Sequence, residues 1–108
     1  MREISGRDLE EELKGFTIIE FYTMGCPPCR AIKGVLQSLE EKYPFIKVFQ
    51  IDAEKEDNRE IVEKFDVKAV PYLLFFSEKE KIGELRGYHS LKKIEEFLKN
   101  LNIIKGLI

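Results

Sequence analysis

Apolar positions along the chain fall either into short unbroken runs or into stripes at helical spacing. Phe16 to Tyr22 (FTIIEFY) is apolar almost throughout, as expected of a strand covered on both faces, and Glu20 is its exception. Ile46 to Ile51 and Tyr72 to Phe76 read as two further strands, and a turn at Ser77 to Lys81 leads to a last one, Ile82 to Arg86. Gly83 weakens that last pattern and predicts a bulge. Ile32, Val35, Leu36, Leu39 and Tyr43 recur every three or four positions, which predicts a helix ending at Pro44. Ile61, Val62 and Phe65 mark a short helix within Asp57 to Phe65. Leu91, Ile94, Phe97, Leu98 and Leu101 mark the final helix, which Ser90 can cap. At the start of the chain a short strand is expected over Arg2 to Ser5. Ser5 with Asp8 then makes a capping-box-like entry to a first helix carrying Leu9 and Leu13.

The predicted order is β-α-β-α-β-α-β-β-α. Helical crossovers early in the chain imply parallel strand pairs, and the late short turn implies an antiparallel hairpin. The expected class is α/β, a mixed central β-sheet flanked by helices on both faces. No repeat, low-complexity tract or linker interrupts residues 1–108, which are read as a single domain. Asn102 to Ile108 carry Ile103, Ile104, Leu107 and Ile108, and three fates are open to them: extending the helix, packing on the sheet edge or joining a partner.

Composition narrows the function. Eighteen basic residues nearly balance twenty acidic ones, for a net charge of -2, whereas a nucleic-acid binder normally gathers a basic surplus on one face. No apolar run approaches the roughly 20 residues of a membrane helix, so no membrane partner is expected. Met1-Arg2-Glu3-Ile4-Ser5 is charged and lacks the apolar core of a signal peptide, which gives a cytoplasmic expectation. Two cysteines are too few for a disulfide-stapled secreted fold.

Their spacing carries the chemistry. Cys26-Pro27-Pro28-Cys29 follows a buried strand and opens a helix, and a Cys-x-x-Cys in that setting points to redox chemistry. A helix N-terminus offers free N–H groups and a positive dipole end, and both lower a thiol pKa from about 8.5 into a range of roughly 3.5 to 7.5. Cys26 is therefore read as the nucleophile. Cys29, about one turn on, is read as the resolving thiol, more buried and less acidic. Prolines suit a helix start, but neither Pro27 nor Pro28 can donate to the Cys26 sulfur. The first backbone donor is then Cys29, which predicts a Cys26 pKa nearer about 7 than about 4. A closed zinc site needs about four ligands, against two cysteines and one distant histidine, His89. No metal is expected within one chain, although two chains together could share a metal or iron–sulfur centre through four thiolates.

At this point the chain resembles the thioredoxin family, on Phe21-Tyr22, Cys26-Pro27-Pro28-Cys29, Ile51-Asp52, Val70-Pro71 and Gly87. The resemblance covers nearly the whole chain and implies a thioredoxin-like fold. It also implies a monomeric enzyme without cofactor that exchanges dithiol for disulfide with protein disulfide substrates, supplied by a thioredoxin-reductase-like electron donor. It implies a cis Val70–Pro71 bond beside the sulfurs, with Val70, Pro71, Pro27 and Pro28 receiving the substrate. Without it, Pro71 also fits a trans proline opening a strand. Glu20 falls where the family places a buried acid. Burial would raise its pKa and let it take the Cys29 proton through a water; the alternative is an edge position facing solvent. Several positions depart from the family pattern. Gly25 stands in place of tryptophan before the motif, Pro27 in place of glycine, Tyr22 in place of a second tryptophan and Gly34 in place of a helix-kinking proline. Val48 stands where a lysine often pairs with the buried acid.

The remaining candidates read as structural. His89 suits a surface or capping place, and the charged run Asp52 to Arg59 a solvated loop and helix start. Arg30 either lends positive potential to the sulfurs or is simply solvated. Met24 and Tyr72 either rim the site or pack. Reduction of protein disulfides is the expected direction, because a cytosolic setting favours dithiols. A disulfide-forming oxidase or isomerase, a glutathione-dependent enzyme and a cluster-binding module are the alternatives.

Overall fold

The computed structural model describes residues 1–105. The strands are β1 (Arg2–Glu3), β2 (Phe16–Tyr22), β3 (Ile46–Asp52), β4 (Tyr72–Ser77) and β5 (Glu80–Arg86). The helices are α1 (Leu9–Glu12), α2 (Pro27–Lys42), α3 (Arg59–Lys64) and α4 (Leu91–Asn100). The five strands form one mixed sheet in the order β1-β3-β2-β4-β5. β3 runs parallel to β1 and β2, β4 is antiparallel to β2, and β4 and β5 form an antiparallel hairpin.

Side chains alternate across this sheet, and each face has its own apolar layer. Phe16, Ile18, Val48, Leu73 and Phe75 point to one side, where Ile32, Leu36 and Leu39 of α2 and Ile94 and Leu98 of α4 cover them. Ile19, Phe21, Phe49, Ile51, Tyr72, Leu74 and Phe76 point to the other, beneath Leu9, Leu13 and α3. β2 is the middle strand and is covered on both faces, which explains its unbroken apolar run. This position also overturns the solvent-facing edge alternative for Glu20.

Several boundaries differ from expectation. The first helix begins as a single 3-10 turn over Gly6–Asp8, and α1 adds only four residues. Ser5 caps no backbone N–H; its hydroxyl donates to Asp8 Oδ2 at 3.1 Å instead. β5 starts at Glu80, two residues before expectation, so the turn shrinks to Glu78 and Lys79. The bulge leaves Ile82 unpaired, beside Gly83 rather than at it. Gly83 answers to packing: a Cβ there would lie 2.9 Å from Phe97 Cζ. Ile103 and Ile104 pack against the α2/α4 layer, while Leu107 and Ile108 lie outside the described residues.

The run Asp52 to Arg59 is not simply solvated. Asn58 is 2% exposed and bridges two segments. Its Oδ1 accepts from Gly6 N–H at 2.7 Å and its Nδ2 donates to the Asp52 carbonyl at 2.8 Å. Asp52 is itself buried, and its Oδ1 accepts the Glu54 N–H at 3.0 Å. A short polar side chain can satisfy backbone groups where two loops meet, and a charged composition hides that use.

Candidate active site

β2 delivers the chain to the upper end of the sheet, and Thr23-Met24-Gly25 carries it over to α2. Cys26 is the N-cap, with extended backbone at φ -107° and ψ 103°. Pro27 and Pro28 fill the next two positions, where a fixed φ suits the helix and a missing N–H leaves no gap. Cys29 N–H therefore makes the first donation, to Cys26 Sγ at 3.2 Å, and Arg30 N–H bonds to the Cys26 carbonyl at 3.1 Å. The two sulfurs form a disulfide across a Cα–Cα distance of 5.2 Å. Cys29 is the deeper of the pair, 4% exposed against 8% for Cys26. Pro27 and Pro28 are exposed beside them. Arg30 does not reach toward the sulfurs; its Nη1 donates to the Met24 carbonyl at 3.3 Å.

Two other segments meet the motif. The Val70–Pro71 bond is cis, and the Val70 carbonyl oxygen lies 3.8 Å from Cys26 Sγ. Gly87, at φ +81°, donates its N–H to the Pro71 carbonyl at 2.8 Å, which ties the end of β5 to the entry of β4. Met24 (71% exposed) and Tyr88 (49%) leave apolar surface on these loops. Tyr72 is not part of a rim: it is buried, its ring stacks on Phe21 at 6.3 Å, and the Arg86 guanidinium lies 4.5 Å above it. His89 Nδ1 lies 3.1 Å from the Gly87 carbonyl oxygen, at hydrogen-bond distance, in a loop-capping place. A groove of about 510 Å³, lined by Leu9, Leu13, Ile61 and Phe65, opens on the opposite sheet face and includes neither cysteine.

Glu20 is fully buried in the central strand, on the sheet face that α2 covers. Removal from water pushes its carboxyl up to about 7, and a hydrogen bond from Gln50 and the charge of Lys33 only partly offset this. Lys33 stands four residues beyond Cys29 on α2, the helix that covers this face of the sheet. Gln50 Nε2 donates to Oε1 at 3.0 Å, while Oε2 is buried and has no hydrogen-bond partner among the described residues. Sequence reasoning looked for the acid's partner at Val48. The register places Val48 opposite Ile18 and Gln50 opposite Glu20. The missed signal was Gln50 itself, a polar side chain on the face of β3 that also carries the apolar Ile46 and Val48.

Residues 3–100 match the family model described as thioredoxin. The thioredoxin of Ophiophagus hannah is 33% identical over 82 residues, covering 76% of this chain and 75% of its own. Human thioredoxin is 30% identical over 84 residues, covering 78% and 77%. Among solved structures, Fasciola hepatica thioredoxin superposes with a TM-score of 0.80 at 26% identity, over 93% of this chain and 98% of its own. Thioredoxin f2 of Chlamydomonas reinhardtii shares the fold, with a TM-score of 0.84 at 18% identity over 97% and 99%. The chain thus belongs to the thioredoxin family, and the Cys26–Cys29 pair at the mouth of α2 makes it a thiol–disulfide oxidoreductase.

Proposed function

We propose that the chain reduces disulfides in protein substrates. The Cys26 thiolate attacks a target disulfide, a mixed disulfide forms, and one target sulfur leaves as a thiolate. Cys29 then loses its proton to Glu20 and attacks Cys26. The Cys26–Cys29 bond forms, the second target sulfur leaves, and two electrons have passed to the target. A thioredoxin-reductase-like donor returns them. Val70 offers its backbone carbonyl to an extended substrate segment, Pro71 walls the site, and the exposed Pro27 and Pro28 form its floor.

The observation that carries this reading is the Cys26 sulfur at a helix N-cap, 3.2 Å from the Cys29 N–H and within bonding reach of the second sulfur. An open surface site, rather than a deep cavity, suits a protein substrate. Monomeric action is supported by the sheet edges: β1 is two residues long and β5 carries a bulge with Lys81, Glu84 and Arg86, features that discourage strand pairing. The net charge of -2 gives no support for a nucleic-acid partner. A reducing compartment such as the cytoplasm keeps the pair as dithiol and so supports electron delivery.

A Cys29→Ser variant tests the proposal in cell extract. Covalent protein adducts on Cys26, released by dithiothreitol and missing from a Cys26→Ser, Cys29→Ser double variant, are expected. A folded wild-type chain that neither turns over protein disulfides with a dithiol donor nor yields adducts in the trap would refute it.

A further inference from the structure

The partner of Glu20 is an amide, and that choice has a chemical meaning. The parallel register of β2 and β3 sets Gln50 directly opposite Glu20. The amide reaches Oε1 at 3.0 Å, and Oε2 stays buried and unpaired. Among the described residues no protein group bonds to Oε2, and the one protein bond the carboxyl has is to a neutral amide. A cation opposite the acid would hold it ionised at all neutral pH values. A neutral donor instead fixes the rotamer of the carboxyl, satisfies one oxygen and leaves the charge uncancelled.

The surroundings reinforce this. On α2 the charged neighbour is Lys33, whose side chain lies at the surface and acts on Glu20 through its field alone. β4 presents the apolar Leu73 at the paired position. At the next register pair stand Tyr22 and Asp52. The Asp52 carboxylate is engaged by Glu54 N–H, and burial together with Glu3 holds the Tyr22 hydroxyl well above its ordinary value. None of these groups donates a hydrogen bond to Oε2.

We propose that Gln50 is a positioning residue for the resolving step: its amide occupies one oxygen of Glu20 and leaves the other, which no described protein group engages, to take the proton. The inference rests on the reading of Glu20 as acceptor of the Cys29 proton. When Cys29 attacks, its proton passes to Oε2 by way of a water, and Oε1 keeps its bond to Gln50. The carboxyl therefore changes charge without changing place.

Two substitutions of opposite sense test it. Gln50→Met keeps length and loses the donor; Gln50→Lys supplies a cation. In the full oxidised chain, the Glu20 titration is followed by the chemical shift of its carboxyl carbon. In the reduced chain, Cys26 is converted to its thionitrobenzoate mixed disulfide, and release of thionitrobenzoate as Cys29 attacks is timed across pH 5 to 9. Gln50→Met is expected to raise the Glu20 midpoint by about half to one pH unit and Gln50→Lys to lower it by about one pH unit. The rising limb of the release profile is expected to follow each change, and the limb is lost in Glu20→Gln. A residue needed only for folding would not move the midpoint in two directions. If Glu20→Gln moves the limb but neither Gln50 variant does, or both move it the same way, the role of Gln50 is refuted and that of Glu20 stands. If Glu20→Gln leaves the limb in place, both fall together.

Discussion

The most direct energetic consequence concerns Glu20→Gln. The native carboxyl titrates at about 7, against an ordinary value of 4.5. Between those limits the folded chain binds the proton and the unfolded chain does not. Stability therefore falls as pH rises through that interval. Each pH unit across it corresponds to about 1.4 kcal/mol, so the full interval is worth about 3 kcal/mol. Of this, about 2.5 kcal/mol falls between pH 5 and pH 8. Other perturbed groups act outside that window. Glu84 and Glu95 are held below the ordinary carboxylate value by Lys81 and Lys42, and they cost stability only when the medium is acid enough to protonate them. Lys42 and Lys81 are raised by their partner carboxylates, so their contribution is lost only in alkali. Urea unfolding of the oxidised wild type and Glu20→Gln at pH 5, 6, 7 and 8 reads the effect without interference from the thiols. With a slope of about 1 to 3 kcal/mol/M, the variant should gain about 1 to 2 M in midpoint relative to wild type across the series. A difference that does not change with pH would show that Glu20 is solvated or salt-bridged in solution, and the reasoning would be wrong.

Other outcomes follow from the same geometry. Alkylation of reduced Cys26 against pH should give a pKa nearer about 7 than about 4, and Pro27→Ala, which restores one N–H at the helix mouth, should lower it; a wild-type value below about 5 refutes the donor count. The reduction potential of the pair, measured against glutathione, is expected near about -270 mV, and a value near about -120 mV would assign the chain to disulfide formation instead. Asn58→Leu leaves the Gly6 N–H and the Asp52 carbonyl without their bonds and should cost about 2 to 3 kcal/mol in urea unfolding. A loss under about 0.5 kcal/mol, the ordinary surface effect, would return that run to a solvated loop. Gly83→Ala pushes a methyl against the Phe97 ring and should cost about 1 to 3 kcal/mol, with Phe97→Leu recovering part of the loss.

The elements legible in the sequence are those with a strong period. β2, α2, β4 and α4 bury long apolar stripes, so their patterns identified them, and the pair Cys26–Cys29 was placed by the same strand and helix. What stayed hidden was set by contacts between distant segments. Asn58 joins Gly6 across 52 positions, and nothing local in a charged run marks such a bridge. The start of β5 at Glu80 depends on a bulge that only pairing with Phe75 and Phe76 reveals. Tyr72 sits one residue beyond the proline of the site, yet strand alternation turns it to the opposite face, against Phe21. The family pattern points to Val48 for the partner of Glu20, whereas the register, which a one-residue slip would invert, sets Gln50 opposite it.

The placement of Glu20 sets folding against chemistry in one residue. A domain of this size is stable by only about 5 to 15 kcal/mol, and the buried acid removes about 3 kcal/mol of that at alkaline pH. No packing argument favours a carboxylate there: its neighbours on that face, Ile18 and Leu73, show that the position accepts an apolar side chain. On the proposed mechanism, the return for the lost stability is a group that exchanges a proton near pH 7 when Cys29 resolves the mixed disulfide. Glu20→Leu should therefore be more stable than wild type at pH 8 and slower in resolving the mixed disulfide, with attack by Cys26 little changed. Stopped-flow timing of the two steps, beside urea unfolding of the same sample, checks this separation. A variant that gains stability and resolves at the wild-type rate would leave the burial of Glu20 without a chemical reason.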